Sequence, residues 1–377
     1  MGSQGIAKKM MQIQHSAALT ITGAMRTSPT DSTAIHANLM PMSTVIQRML
    51  FNLTLCMTML PPSHPLHGMV ARAAKCNVVH HKTVLHCLVH GLKLKQENTE
   101  TFIPCPVHPN SLMPFTTDIA PSKEDTSSNF QQCTDDTMVF MDGSCHNGQV
   151  RAAVSLFINK VHKATLRFHL GSATAHTVFE AEAVGLILAT QLLVSTRGIS
   201  FPASIYADNQ AVIQSSTHPS ASPGHYLLIH FRKLARHLCK RKKLKPDAVS
   251  VKWIVGHMGN WGKELADREV RLAADHADHS SLQCKLLSAL KCPLPSSTSA
   301  LKQHHNGSLL MLWSNIWCQS PRHPHIASID PSLPLNVFTK LTKSLGKRHT
   351  VIYTQLRMGH IPLNKHLHRI KRSGTTL

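Results

Sequence analysis

The fold is decided by residues 137–170, which read TMVFMDGSCHNGQVRAAVSLFINKVHKATLRFHL. Three runs in this stretch, TMVFM, VRAAVSLFIN and KATLRFHL, are rich in the branched and aromatic side chains that favour strands. A short turn near Lys160 separates the second run from the third. The stretch therefore predicts a three-stranded meander whose first strand ends in an acid, Asp142.

Helix and strand patterns alternate after this meander. HTVFEAEAVGLILATQLLV predicts a long helix, SIYADNQAVIQ a short strand that runs into a helix, and HYLLIHFRKLARHLCKRKK an amphipathic helix with a basic end. VSVKWIV predicts another strand, and NWGKELADREVRLAADHA predicts the last helix. The order β-β-β-α-β-α-α-β-α predicts an α/β fold with a mixed five-stranded sheet and helices on both faces.

The chain outside residues 135–280 is less regular. Residues 1–70 alternate short apolar helical patterns with turns. Residues 71–134 are rich in Pro, Ser, Thr and Asn, and such a composition buries too little apolar surface to offset chain entropy, so we expect a poorly ordered linker. Residues 281–377 begin with a loop-rich stretch and continue as a basic, partly helical extension.

The charge balance points to a polyanionic partner. Lys and Arg number 40 against 19 Asp and Glu, a formal net charge of +21, which favours nucleic acid. The ten cysteines form no CxxC pair, so we expect reduced thiols. No signal peptide and no long apolar run is visible, so we expect a soluble, intracellular protein with no membrane partner, and the sequence leaves nucleus and cytoplasm equally open.

Four acids are difficult to explain as ordinary surface residues. Asp142 and Asp208 each follow an apolar strand pattern, where active-site groups commonly leave a sheet. Glu182 interrupts the apolar face of the long helix, where a charge is costly unless it is compensated. Asp267 lies in the first turns of the last helix and could point to the same place. Four unrelated surface acids are the alternative interpretation.

Several ionised carboxylates in one pocket are most simply explained by bound cations. Oxygen ligands favour Mg²⁺ or Mn²⁺ over Zn²⁺. Two such ions about 4 Å apart are suited to hydrolysis of a phosphodiester. The acids therefore predict nuclease chemistry.

Four segments resemble, in order and spacing, the signature segments of the type-1 ribonuclease H family. They are MDGS at 141–144, FEAEAVGLILA at 179–189, YADNQAVI at 206–213 and WIVGHMGNWGKELADREV at 253–270. The resemblance implies an RNase H-like three-layer fold at residues 135–280. It also implies an endoribonuclease that cuts the RNA strand of RNA–DNA hybrids with two Mg²⁺ or Mn²⁺ ions.

The resemblance assigns roles to particular residues. Asp142, Glu182, Asp208 and Asp267 match the metal-binding catalytic acids, and His257 matches the histidine that assists proton transfer or product release. Glu180 competes with Glu182 for the helix acid. However, Glu180 would point about 200° away around the helix, so Glu182 is the better match.

The flanks resemble parts of non-LTR (LINE-like) retrotransposon reverse transcriptases of the fungal type. QHSAALTITGAMRTSPTDSTAIHANLMPM (14–42) and LPPSHPLHG (60–68) resemble the region that follows the polymerase domain. QLRMGHIPLNKHLHRI (355–370) resembles the region that follows the RNase H domain. This resemblance implies a C-terminal piece of such a polyprotein, with residues 1–70 as the remnant beyond the polymerase.

Substrate contacts are predicted at two places. Gly143, Ser144 and Asn147 are placed to touch the sugar-phosphate backbone of the hybrid. A basic run resembles the arm that grips the duplex in some relatives, and it contains Arg232, Lys233, Arg236, Lys240, Arg241, Lys242, Lys243 and Lys245. A solvated helix end is the alternative interpretation of this run.

A second function stays open on sequence grounds. Lys263 stands where the family commonly has Asn, and a cation there could compete with metal or disturb the loop before Asp267. The alternative to an active nuclease is therefore a decayed remnant that binds nucleic acid without cutting it.

Overall fold

The structure, a computed structural model, describes residues 4–76, 78, 80–103, 113–218, 220–256, 261–272, 281–332, 337–361, 363–369, 371 and 374. The chain divides into two compact units. We call Met1–Leu53 together with His305–Leu377 the helical unit, and Thr54–His304 the sheet unit.

The helices that begin before the sheet are α1 (Gln4–Thr22), α2 (Thr30–His36), α3 (Met42–Thr58), α4 (His67–Lys75) and α5 (Val84–Leu92). The strands are β1 (Thr116–Asp118), β2 (Thr137–His146), β3 (Gln149–Ile158), β4 (Val161–Ser172), β5 (Ala203–Ala207) and β6 (Val249–Trp253). The helices between and after them are α6 (Lys123–Gln131), α7 (Val178–Ser195), α8 (Gln210–Thr217), α9 (His225–Lys242) and α10 (Trp261–Leu272). The remaining helices are α11 (Thr298–Cys318), α12 (His323–Ile329), α13 (Val337–Lys343), α14 (Lys347–Arg357) and α15 (Asn364–Arg369).

The predicted meander is confirmed. β2, β3 and β4 pair antiparallel in sequence order, and Asn159 and Lys160 have positive φ values of 51° and 62° in the turn predicted near Lys160. Beyond the meander, the elements of the described residues up to α10 follow the predicted order. The mixed α/β sheet is therefore the fold that the hydrophobic pattern predicts.

The sheet has the order β1-β6-β5-β2-β3-β4, six strands within the described residues. The sixth strand, β1, pairs parallel to β6 and comes from the segment that we expected to be a linker. Its three residues, TTD, are all exposed, so backbone pairing rather than apolar burial holds the strand. Phe115, the residue before β1, is 3% exposed in the main core. The polar composition of this segment therefore did not reveal the edge strand β1 or the buried Phe115 that precedes it.

Helices cover both faces of the sheet. α7 packs on one face, where Val139, Met141 and Leu156 belong to the main core. Ala266 of α10 packs on the other face, against a smaller core that contains Phe140. Because successive side chains of a strand point to opposite faces, the side chain of Asp142 lies on the same face of the sheet as that of Phe140. The sheet thus separates the helix that carries Glu182 from the helix that carries Asp267.

The central helix α7 is apolar on all sides because it is buried between the sheet and α9. It is also, within the described part of the chain, the helix long and apolar enough to cross a membrane. However, 78% of that stretch is buried inside the fold. Its hydropathy is therefore accounted for by a core position.

Candidate active site

The sheet register brings Asp142 and Asp208 together. β2 pairs parallel to β5 from Thr137 to Phe140, and the last pair is Phe140 with Tyr206. Asp142 and Asp208 each lie two residues beyond that pair, Asp142 within β2 and Asp208 directly after the end of β5, so both lie at the same edge of the parallel pairing. The sequence predicted that the strand ends at Asp142. Instead, β2 continues to His146 through its pairing with β3, so Asp142 lies within the strand.

Glu182 approaches the same edge from α7. Its side chain is 2% exposed, and the backbone N–H of Gly143 donates a hydrogen bond of 3.0 Å to its Oε1. A Cβ on Gly143 would lie 2.6 Å from the backbone nitrogen of Glu182, so α7 can approach β2 this closely only because residue 143 is glycine. Gly143 therefore positions the glutamate with both its missing side chain and its N–H.

One carboxylate oxygen from each of Asp142, Glu182 and Asp208 lies within 4.8 Å of the other two. Asp142 is 9% exposed, and Asp208 is partly buried. Three carboxylates this close repel one another strongly when water is largely excluded, unless cations neutralise them. The donor set is entirely carboxylate oxygen, which fits Mg²⁺ or Mn²⁺.

Two residues of the β6–α10 region lie next to Asp208. The indole Nε1 of Trp253 donates a hydrogen bond of 3.0 Å to the backbone oxygen of Asp208. A Cβ on Gly256 would lie 3.3 Å from Asp208 Oδ2, so glycine leaves room at the carboxylate. The β6–α10 connection therefore begins beside the acids, as expected for a loop that borders an active site.

Within its described residues, the structure does not bring the other predicted site residues into the group of three carboxylates. Asp267 is partly buried in α10, but it does not join the 4.8 Å group found among the described residues. His257 lies outside the described residues, and so does the side chain of Lys263. The roles of these three residues stay predictions.

Glu180, the competitor of Glu182, has a structural role. It is the third residue of α7 and accepts a 2.8 Å hydrogen bond from the backbone N–H of Thr177, whose hydroxyl in turn accepts from the N–H of Glu180. This reciprocal pair is a capping box, and the sequence Thr177-Val-Phe-Glu180 carries its S/T-x-x-E signature. That signature was visible in the sequence and assigns Glu180 without reference to a family.

Two of the predicted backbone-contacting residues have structural roles. Gly143 is committed to the hydrogen bond with Glu182, and Asn147 with Gly148 forms the β2–β3 turn, at φ values of 50° and 70°. Asn-Gly is the favoured pair for such a two-residue hairpin turn. Ser144 is partly buried on β2, opposite Arg151 of β3. Contact of these residues with nucleic acid stays a prediction.

Arg232 does not belong with the predicted basic arm. It is 2% exposed, and its guanidinium donates hydrogen bonds of 2.7 Å to the backbone oxygens of Ser215 and Ser216 at the end of α8. A buried arginine that ties two helices together is not free to grip a duplex. The helical spacing gives the reason, because Arg232 lies four residues after Leu228 and three before Ala235 on the buried stripe of α9.

The rest of the basic arm faces solvent. Arg236 is partly buried, and the exposed residues are Lys233, Lys240, Arg241, Lys242, Lys243 and Lys245. Lys240, Arg241 and Lys242 occupy the last turn of α9, where cations are also stabilised by the helix dipole. The structure therefore leaves both interpretations of the run open, a contact surface and a solvated helix end.

Comparisons with known proteins can be set beside this geometry. Residues 134–275 match the RNase H family, and no curated protein matches the chain. The N-terminal RNase H domain of a Mycobacterium tuberculosis protein shares 18% identity and a TM-score of 0.28, covering 37% of this chain and 97% of that one. RNase H1 of the halophilic archaeon Halobacterium salinarum shares 21% identity with this chain, also with a TM-score of 0.28. The match covers 37% of this chain and 97% of that one.

A third solved structure, LC11-RNase H1 in complex with an RNA/DNA hybrid, shares 15% identity, covers 37% of this chain and 99% of that one, and gives a TM-score of 0.28. TM-scores this low do not support an assignment. The assignment rests instead on the family match, which begins three residues before β2 and ends three residues after α10. Within those limits lie the meander, α7, β5 and the three clustered acids. Residues 134–275 of this chain therefore form an RNase H domain.

Proposed function

We propose that this domain hydrolyses the RNA strand of RNA–DNA hybrids and that it requires two divalent ions, Mg²⁺ or Mn²⁺. The observation that carries the proposal is the meeting of Asp142, Glu182 and Asp208 within 4.8 Å, in a segment that matches the RNase H family. The net charge of +21 suits a polyanionic substrate.

Asp142, Glu182 and Asp208 would hold the ions, with Asp267 assisting from α10. When bound, such ions supply an activated water and charge neutralisation at the leaving oxygen. The protein contributes rigid placement of the oxygens: the Gly143 N–H orients Glu182, and the Trp253 indole holds the backbone of Asp208. His257 would serve proton transfer or product release.

A labelled RNA–DNA hybrid tests this function, with double-stranded DNA and single-stranded RNA of the same sequence as controls. We expect cleavage of the RNA strand of the hybrid alone, dependent on Mg²⁺ or Mn²⁺ and abolished by a chelator. The runner-up, a decayed remnant, is favoured by Lys263 in the place of the usual Asn. Hybrid binding without metal-dependent cleavage would favour the remnant.

We further propose that the flanking segments derive from the retrotransposon polyprotein that their sequences resemble, and that the exposed cations of α9 contact the duplex. The first proposal is supported by the sequence resemblance alone. The second is supported by four exposed cations in the last turn of α9 and at its C-cap, Lys240, Arg241, Lys242 and Lys243. We expect hybrid binding to weaken steeply as salt rises, because each phosphate contact releases counterions.

A further inference from the structure

The first turn of α11 is fixed to the RNase H domain, although it lies outside residues 134–275. The backbone N–H of Ser297 donates a 2.7 Å hydrogen bond to the oxygen of Ala175, just before α7. Glu100 accepts from the N–H and hydroxyl of Thr298 at 2.7 and 2.9 Å, and its other oxygen accepts from the N–H of Gly224 at 2.7 Å. One buried carboxylate therefore joins the start of α11 to the start of α9.

Residues next to this junction line a groove with a volume of about 680 Å³. We call it the α7–α11 groove, and its lining includes Cys145, Thr177, Phe179, His225, Ser299 and Gln303. Ser299 and Gln303 are four residues apart on α11 and therefore share a helix face. The C-terminal segment thus supplies one side of a groove whose other side belongs to the RNase H domain.

The groove begins beside the acids. Thr177 precedes Glu182 by five residues along the chain, a helical rise of about 7.5 Å. Cys145 follows Asp142 by three residues along β2, or about 10 Å. A duplex backbone held at the acids could therefore continue into the groove.

The polar residues of the lining suit an anionic backbone. None of the described residues that line it is Asp or Glu, and hydroxyl, amide and imidazole groups are present. The nearby carboxylates of Glu100 and Glu180 are 1% and 0% exposed and are occupied in capping the helices. Burial raises the pKa of Glu100 above its usual value, and the hydrogen bonds from Gly224 and Thr298 act in the opposite direction.

We propose that the first two turns of α11, through Ser299 and Gln303, extend the nucleic-acid-binding surface of the RNase H domain and contact the backbone of the hybrid. This inference rests on the proposed function, because the occupant is the substrate of that function. It gives part of the C-terminal extension a role in substrate affinity.

The test adds a negative charge to the groove without disturbing the fold. Ser299→Asp places an acid in the first turn of α11, where acids stabilise a helix, and Gln303→Glu is nearly isosteric. Gln131→Glu on α6, exposed and not among the groove residues, is the matched control. Binding of a fluorescent hybrid is measured by anisotropy with Ca²⁺ in place of Mg²⁺, and cleavage is measured separately with Mg²⁺.

We expect Ser299→Asp and Gln303→Glu each to raise the Kd for the hybrid about three- to tenfold at low salt, with a smaller effect at high salt. We expect kcat at saturating substrate to stay unchanged, and Gln131→Glu to bind as the unmodified protein does. Variants that bind normally while the unmodified protein cleaves would overturn the groove proposal alone. An unmodified protein that neither binds nor cleaves would overturn the proposed function, and the groove proposal with it.

Discussion

The helical unit and the active-site edge of the sheet unit differ in how their acidic side chains are arranged. Asp31 and Asp330 are the two acids of the helical unit, and each is paired with an arginine, Arg322 at 3.2 Å and Arg357 at 2.8 Å. In the sheet unit, three carboxylates instead lie within 4.8 Å of one another, on β2, α7 and the residue after β5. Pairing with an arginine neutralises a carboxylate, whereas three carboxylates gathered this closely concentrate a negative charge that divalent ions can neutralise.

The two units also differ in their cores. The sheet unit has a continuous core between the sheet, α7 and α9. The core of the helical unit is a small cluster of Ile35, Trp313, Trp317, Ile326 and Phe338. Exposed large apolar side chains are concentrated in the helical unit, for example Ile13 at 69%, Met49 at 62% and Met311 at 70%. We therefore expect catalysis to depend on the sheet unit, and the helical unit to be the less stable of the two.

The largest expected effect is on catalysis. Asp142→Asn keeps the shape of the side chain and removes its charge, so we expect cleavage to fall on the order of a thousandfold or more, because metal-assisted stabilisation is worth several kcal/mol. Asp118→Asn, an exposed acid at the end of β1, is the matched control and should retain activity. The rate of hybrid cleavage at saturating Mg²⁺ is measured for both variants. Equal rates for the two variants would show that Asp142 has no role in catalysis.

The next effect is on the stability of the helical unit. The Arg357–Asp330 pair is largely buried, at 6% and 12% side-chain exposure, and Arg357 also lies over the Phe338 ring at 4.9 Å. Arg357→Met should cost about 3 kcal/mol, the low end for breaking a buried pair, because Asp330 loses its cation but keeps its hydrogen bonds from Ser332. Arg322→Met breaks an exposed pair and should cost at most about 1 kcal/mol.

Hydrogen exchange of peptides from α14 and from residues 305–318 of α11 measures this difference within the helical unit. If cleavage activity survives Arg357→Met while these peptides lose protection, the two units are separable, as we expect. Similar losses of protection in both arginine variants would contradict the ranking of the two pairs.

A pH effect should distinguish the units further. His36 is 1% exposed, and burial lowers its pKa from 6.5 to about 4. The unfolded chain therefore takes up this proton near pH 6.5 while the folded chain does not. As a result, the stability that this residue contributes is complete above pH 6.5 and is lost as pH falls towards 4, by up to about 3 kcal/mol.

Chemical unfolding at pH 7.5 and pH 5.0, followed by tryptophan fluorescence, tests the effect of His36. His36→Leu should reduce the loss of stability between the two pH values, and His325→Gln, which changes an exposed histidine of the same unit, should not. An unchanged pH dependence in His36→Leu would show that other groups control the acid sensitivity.

The smallest effect separates two neighbouring cations of α9. Arg232→Met removes two hydrogen bonds to the end of α8, so we expect the free energy of unfolding to fall by about 2–3 kcal/mol. Lys233→Met changes an exposed residue and should alter stability by at most about 0.5 kcal/mol while it reduces the salt dependence of hybrid binding. Thermal melts and binding at two salt concentrations measure both, and equal melting temperatures would disprove the structural role of Arg232.

The sequence predicted those parts of the fold that depend on apolar periodicity. The meander, the apolar α7 and the order of elements up to α10 follow from runs of buried side chains, and the convergence of Asp142, Glu182 and Asp208 follows from that order. β1 could not be predicted in this way because its residues are exposed and only its backbone pairs with β6.

Other features required atomic contacts or closer attention to local signatures. The hydrogen bond from the Gly143 N–H to Glu182 depends on how closely α7 packs on β2, which no sequence pattern specifies. In contrast, the capping box of Glu180 and the buried stripe that includes Arg232 had clear signatures. Charge alone did not predict which residues of the basic run face solvent, since Arg232 is only 2% exposed.

Anomalous diffraction from a crystal soaked in Mn²⁺ tests the central claim most directly, namely that the three carboxylates meet because divalent ions neutralise them. We predict a peak bounded by the oxygens of Asp142, Glu182 and Asp208 in the unmodified protein, and its loss in Asp142→Asn. A crystal that shows no peak among these oxygens at saturating Mn²⁺, or that shows them separated well beyond 4.8 Å, would contradict the account.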